Sequence, residues 1–358
     1  MKSFFLALLI SLFTAKILAF LRSRYFHFSS LENPFFQKYS FDFISQLGGA
    51  SLYLALLMVI FIRDFYINGG DYSFSITLWI LTLPIFLVGL LENPLRSISN
   101  NFKFIGIVAS SLLFIYYSNI SIRKFDIPIY DILFHLPLIG LLLTCLSIVG
   151  LSCSYKLLNR YHGLAPMNAI MSIFSIGYVA YICNDPHLLM SSIVVLGLLI
   201  GFCLANYPKG FPNFGSADSY LVGFLIAILS ICLVERNVVI SPWFAVVLNL
   251  IPICEGMKCL WQKRQNQDKA SYSSDHPRLF CMIYQNLMGL LDSNSPEHQA
   301  PEGNLKPKNL YLLFLSAIPA ISSILFWNNK LVLIASGLIF CCGSFFLSRK
   351  QIRFLASR

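Results

Sequence analysis

Apolar residues fall in long unbroken stretches along the chain, parted by short polar segments, and within the stretches polar positions do not alternate with apolar ones. A continuous run approaching ~20 residues is what a helix needs to cross the hydrocarbon layer, whereas a membrane-barrel strand alternates at every second residue. The pattern predicts eleven membrane helices, over residues 3–20, 47–62, 76–91, 104–118, 131–152, 166–183, 187–204, 220–234, 238–257, 309–326 and 331–348. The expected fold is therefore all-α, a polytopic membrane helical bundle forming a single integral domain over 1–358. One long polar segment, 258–308, separates the ninth and tenth stretches. Within it, 279–291 (LFCMIYQNLMGLL) is apolar but too short to span, and predicts a surface helix lying on the bundle or on lipid.

Composition narrows the class. Only 12% of residues are charged and 57% are hydrophobic; soluble domains carry about 25% charged residues, so a water-soluble α/β enzyme is excluded. The formal net charge of +10 is spread over many short loops rather than gathered in one stripe, which argues against a nucleic-acid partner. Nineteen lysines and arginines lie in one set of alternate loops and six in the other, with Lys16 inside a span. The positive-inside rule then puts the N-terminus out and the C-terminus in. Lys2 ahead of the first stretch, without a clear cleavage site, reads as the flank of an uncleaved first span. The ten cysteines include several inside apolar runs and form no C-x-x-C, so they read as small buried hydrophobes.

This orientation gathers the polar segments on the cytoplasmic face: QKYSFDFISQLGG (37–49), LLENPLRS (90–97), NRYHGLAPMN (159–168), NYPKGFPNFGSADS (206–219) and 258–308. The outer loops are mostly short. A protein with its polar complexity on one face handles a ligand there, and uses the other face to close the bundle.

Several fragments within these segments stand in a telling order. Gln46-Leu47-Gly48-Gly49, with Lys38 upstream, opens the second stretch. Gly89-Leu90-Leu91 precedes Glu92 and Asn93; Asn159 and Gly163 follow the fifth stretch; Asn206 and Pro208 precede Gly215, Ala217, Ser219, Gly223 and Phe224; and Ser295, Pro296 and His298 lie in the long segment. Together they resemble the polyprenyl-phosphate N-acetylhexosamine-1-phosphate transferases of glycosyltransferase family 4. That family includes undecaprenyl-phosphate GlcNAc-1-phosphate transferases and phospho-N-acetylmuramoyl-pentapeptide transferases. The resemblance implies ten or eleven helices in the bacterial inner (cytoplasmic) membrane and a functional face toward the cytoplasm. It also implies a cytosolic UDP-sugar, a polyprenyl phosphate lipid, Mg²⁺, and a place in cell-envelope polysaccharide synthesis.

By the same resemblance, Lys38, Asn93, Asn159, Asn206, Ser216 and His298 fall at substrate-binding positions; Glu92, His162 and Asp218 are the candidates for catalysis, although Asp218 stands where the family has Gly. The acids and imidazoles of the family are largely replaced. Glu92 and Asn93 stand at its Asp-Asp pair, His162 at the Asp of Asn-x-x-Asp-Gly, and Ser216 at a Mg²⁺-ligand Asp. Gly303, Leu305 and Lys306 stand at its histidines.

The family reaction is attack of a lipid phosphate oxygen on the β-phosphorus of a UDP-sugar, with release of UMP. So many negative charges demand hard cations and basic side chains. Glu92 and Asp218 are the candidate Mg²⁺ ligands, with Asp42 a third acid, since Mg²⁺ takes as few as one or two carboxylates beside phosphate and water. Asp218 serves only if its stretch is still loop: on one helix with Ser216, the two-residue offset turns it by roughly 200°. Its other reading is a first-turn acid on a helix beginning near Ser219. Glu92 is alternatively a solvated helix end, and His162 either a general base or phosphate-facing cation, or a polar loop residue. Lys38, Arg96, Arg160 and Lys209 either draw in a diphosphate or only set topology, and His298 and His276 lack the partners of a zinc site.

Three function classes follow. One is a divergent transferase of sugar phosphate onto undecaprenyl phosphate. Another is a non-catalytic relative that binds nucleotide sugar or lipid phosphate, or acts as a pathway partner. A secondary transporter is the weakest, because the spans hold almost no ionisable groups apart from Lys16 and His135.

Overall fold

The computed structural model describes residues 2–29, 51–67, 73–91, 100–127, 136–159, 163–206, 214–265 and 307–356, and every regular element among them is a helix. In chain order these are α1 (Lys2–Ser29), α2 (Ser51–Ile67), α3 (Ser73–Leu91), α4 (Asn100–Ser118), α5 (Pro137–Leu158) and α6 (Leu164–Ile182). They continue as α7 (Pro186–Asn206), α8 (Ser216–Arg236), α9 (Pro242–Leu248), α10 (Leu250–Gln265), α11 (Pro307–Leu325) and α12 (Lys330–Ala356). Four of them, α5, α6, α7 and α8, are long and apolar enough to cross a membrane by length and composition, and six shorter apolar helical stretches accompany them among the described residues. The described residues are thus those of a helical membrane protein. The surface helix expected at 279–291 lies outside the described residues.

Each predicted stretch overlaps helix, several helices run past the predicted ends, and three departures have identifiable local reasons. The fifth begins at Pro137 rather than 131, with proline at the first helical position, where its missing N–H costs nothing. The eighth begins at Ser216, not 220, because a polar first turn belongs to the helix although it adds nothing to hydropathy. The ninth is two helices broken at Asn249. Pro252 explains the break: its ring cannot pass the carbonyl of Leu248 in a continuous helix. The buried Asn249 amide bonds back to the Ala245 carbonyl at 3.0 Å and eases the interruption.

Helix α8 is the axis of the bundle. It is apolar on nearly all sides, and a helix of that kind must be surrounded by protein. All of its residues from Ser216 to Ile231 are buried, and it packs against α5, α3, α6, α9, α2 and α7. Between apolar helices in lipid the drive is close van der Waals fit rather than exclusion of water, so small residues set the spacing. A Cβ at Gly223 would stand 2.7 Å from Ser152 Cα, and one at Gly89 would stand 2.3 Å from Ala217 Cα. These two glycines let α8 touch the backbones of α5 and α3.

Polar bonds fix the remaining geometry. Pro84 interrupts the ladder of α3, and Ser110 Oγ on α4 accepts from Ile85 N–H at 3.1 Å, a repair by a neighbouring helix that membrane bundles allow. At the far end of α8, Arg236 pairs with Asp185 at 3.2 Å, while Glu235 accepts from the Arg123 backbone N–H at 3.0 Å. Beyond that end lies a cleft of about 480 Å³ lined by Asp126, residues 238–241 and residues 328–331.

Candidate functional site

At the opposite end of α8 four helix termini meet. The last turn of α5 carries Lys156, and Asn159 is its C-cap. The first turn of α8 carries Ser216 and Asp218 after Gly215, whose N-cap position makes no side-chain hydrogen bond. The Gly89–Ala217 approach brings the end of α3 to that same turn, and the start of α2 reaches it through Leu52 and Tyr53.

Asn159 clasps two of these termini. Its Nδ2 donates to the Phe214 carbonyl, and its Oδ1 accepts from Phe214 N–H at 2.9 Å. Both ends of the side-chain amide are thus spent on the main chain just ahead of α8. This bond pattern makes Asn159 the strut that holds the α8 entry against α5. Phe214 is buried and its ring lies 5.4 Å from that of Phe202 on α7, so α7 is tied to the same point. Beneath the clasp, Tyr155 is fully buried and accepts from Asn168 Nδ2 at 2.8 Å, with Ser172 Oγ at 3.4 Å. That network satisfies the buried polar atoms joining α5 to α6.

Ser216 and Asp218 face opposite ways. Ser216 Oγ meets Lys156 Nζ, and the same ammonium lies 5.6 Å from the centroid of the Tyr220 ring, within cation–π range. Asp218 is 0% exposed and faces the backbone N–H groups of Leu52 and Tyr53 in the first turn of α2. Neither of its oxygens closes a well-formed hydrogen bond with a described residue. The helix N-terminus supplies the field that favours a carboxylate there. The stretch from Ser216 is helix, so the loop that Asp218 would need to share a ligand site with Ser216 is absent.

Of the remaining sequence-predicted residues, Asn206 ends α7. Its side chain, like Glu92, Asn93, His162, Lys38 and His298, lies outside the described residues, as do Arg96, Arg160, Lys209, Asp42 and His276. Lys156 is the residue at this meeting point that sequence reasoning does not single out; it is one of the nineteen lysines and arginines counted on one side of the charge bias. The available signal was its position three residues before Asn159, on the same face of the α5 end.

Mg²⁺ is the metal that the motif resemblance implies, and the described residues do not fit it. Among them no group of three or more His, Cys, Asp or Glu side chains is gathered as a metal site. Asp218 is turned to α2, and Ser216 already meets an ammonium.

Apolar helices around a polar meeting point of helix ends define the class: a polytopic membrane protein with its candidate site at one end of the bundle. The family model for glycosyl transferase family 4 matches residues 75–234, which run from within α3 to near the end of α8 and include three of the four helix ends that meet here, those of α3, α5 and α8. That match supports the family assignment carried by the motifs. Phospho-N-acetylmuramoyl-pentapeptide-transferase of Streptococcus mutans is 24% identical over 232 residues, covering 60% of this chain and 65% of the relative. A probable undecaprenyl-phosphate N-acetylglucosaminyl 1-phosphate transferase of Bacillus subtilis is 22% identical over 246 residues, covering 68% and 66% respectively. The chain therefore spans under two thirds of the length of these relatives.

Proposed function

We propose that the protein transfers a sugar 1-phosphate of the N-acetylhexosamine type from a UDP-sugar to undecaprenyl phosphate, in the bacterial inner membrane. The site faces the cytoplasm, with the N-terminus out and the C-terminus in. The observation that carries this reading is the convergence of three motif-bearing helix ends, joined by Gly89 on Ala217, Asn159 on Phe214 and Lys156 on Ser216. In the reaction, an oxygen of the lipid phosphate forms a bond to the β-phosphorus of the UDP-sugar. The bond from that phosphorus to the bridging oxygen breaks, and UMP leaves with the bridging oxygen.

This chain's residues would act mainly by position and charge, since phosphoryl transfer needs little else from a protein. Lys156 supplies a cation at the mouth and Asn159 fixes the α8 entry, while Asp218 is turned toward the start of α2. Glu92, the first residue beyond α3, is the acid we assign to the substrate site, with Asn93, His162, Lys38, Asn206 and His298 as further contacts to the nucleotide sugar or lipid phosphate.

Purified full-length protein, given labelled UDP-N-acetylhexosamines and undecaprenyl phosphate, should release UMP and form a labelled lipid diphosphate. Absence of product with every UDP-sugar, from protein that binds UDP, would leave the non-catalytic reading in its place.

A further inference from the structure

We propose that the cleft beyond the far end of α8 binds the headgroup of an aminophospholipid, taking its ammonium at Asp126 and its phosphate at Lys330. The cleft holds about 480 Å³ and is bounded by three connections: the segment after α4 at Asp126, residues 238–241 between α8 and α9, and residues 328–331 at the turn from α11 into α12. Its walls carry one carboxylate, one ammonium, the amides of Asn328 and Asn329 and the Ser241 hydroxyl. Asp126 and Lys330 line the same space, yet no ion pair joins them. Opposite charges that share a cleft without neutralising each other are complementary to a ligand that carries both signs. The carboxylate is held in place. Asp126 sits in the left-handed region at φ 56°, and Ser241 Oγ donates to its Oδ2 at 3.2 Å. Ser241 is itself buried and caps α9, accepting from Trp243 N–H at 3.4 Å, while its own backbone N–H donates to the Trp327 carbonyl at 3.2 Å. Asp126 Oδ1 has no hydrogen-bond partner among the described residues. A carboxylate accepts several bonds, so an ammonium can be added there without breaking the one from Ser241.

The level of the cleft suits a headgroup. Trp243 and Trp327 both bond to Ser241 through their main chains, and tryptophans gather where a membrane meets water. Val238, Val239 and Leu331 on the rim are exposed, an apolar margin beside a polar floor that suits the glycerol esters and the start of the acyl chains. The composition also selects among ligands. None of the described residues lining the cleft is aromatic, so it lacks both the cage that holds a quaternary ammonium and the ring platform on which a sugar stacks. A primary ammonium needs only the charge-assisted bonds that a carboxylate accepts. A headgroup with phosphate but no amine would leave Asp126 opposing it. Lys330 meets the phosphate as a point charge, and the amides of Asn328 and Asn329 can donate beside it.

The test is lipid retention by the full chain in detergent, read by native mass spectrometry for wild type, Asp126→Asn and Lys330→Gln, with thermal unfolding as the check on folding. The probes are phosphatidylethanolamine, phosphatidylcholine and phosphatidylglycerol with the same acyl chains. Wild type is expected to hold one phosphatidylethanolamine at least about tenfold more tightly than either other lipid, the scale of one bond to a charged group. Asp126→Asn should bring phosphatidylethanolamine down to the level of phosphatidylcholine, and Lys330→Gln should weaken it by about tenfold. If one variant does not fold the other decides, and the wild-type preference is a test by itself. Glycerophosphoethanolamine, the same headgroup without acyl chains, should compete poorly; competition as strong as that of the lipid would overturn the lipid assignment in favour of a free ligand. Equal retention of the three lipids by wild type, or unchanged phosphatidylethanolamine affinity in either folded variant, would overturn the site. The readout involves neither UDP nor sugar transfer, so the failure of this site and the failure of the proposed function are distinguishable.

Discussion

Asn159 spends both ends of its amide on the two main-chain polar groups of Phe214. Asn159→Ala should therefore cost about 1–3 kcal/mol, the range for stranding partly buried groups, and lower the thermal unfolding midpoint in detergent. A loss of UDP affinity without that drop would make Asn159 a direct substrate contact. Asp218 has the opposite character: a buried carboxylate facing two amides that closes no full hydrogen bond with them. Asp218→Asn keeps nearly the same volume and an acceptor oxygen toward the two amides, so the unfolding midpoint should stay level or rise and UDP binding should persist. Abolished binding in a stable Asp218→Asn variant would return Asp218 to the metal-ligand role. The sequence identified Asn159, Ser216 and Asp218 as positions that matter, since motif order is written along the chain. It could not say what they touch. Lys156 meets Ser216 across sixty positions, and nothing in the composition of either segment encodes that pairing.

The elements were the most legible part, because a membrane helix announces itself by a long apolar run whatever its partners. Where the reading slipped, the cause was local chemistry that hydropathy ignores: the polar first turn of α8, and Pro252 cutting the ninth stretch at Asn249. The packing of the elements was less legible, since it depends on which small residues meet a neighbour. Gly89 and Gly150 look alike in sequence, yet a Cβ at Gly89 would strike the backbone of α8, while one at Gly150 would meet nothing within 4 Å. Gly89→Ala should destabilise the bundle by about 1–3 kcal/mol and push the end of α3 away from the first turn of α8, weakening UDP binding as well. Gly150→Ala should be neutral or stabilising, since alanine is the better helix former. Equal behaviour of the two variants in thermal unfolding would mean that α3 and α8 do not approach at Gly89.

For the whole molecule, the two ends of α8 are about 30 Å apart at 1.5 Å per residue, enough to lie on opposite sides of a bilayer. One end holds the Lys156–Ser216 pair and the other the cleft at Asp126. With the charge bias of the loops, reporter fusions at the C-terminus should give a cytoplasmic signal and fusions at Asp126 an external one; a cytoplasmic signal at Asp126 would invert the bundle. On the proposed function, the nucleotide site lies where α3, α5 and α8 meet. Photolabelling of the full chain with an azido-UDP analogue, followed by peptide mapping, tests it most directly. Label should concentrate in the peptides that carry Lys156–Asn159 and Phe214–Tyr220, and excess unlabelled UDP should compete it away. Competed label concentrated instead around Val238–Ser241 and Asn328–Leu331 would place the nucleotide at the other end of α8 and rule out a site where α3, α5 and α8 meet.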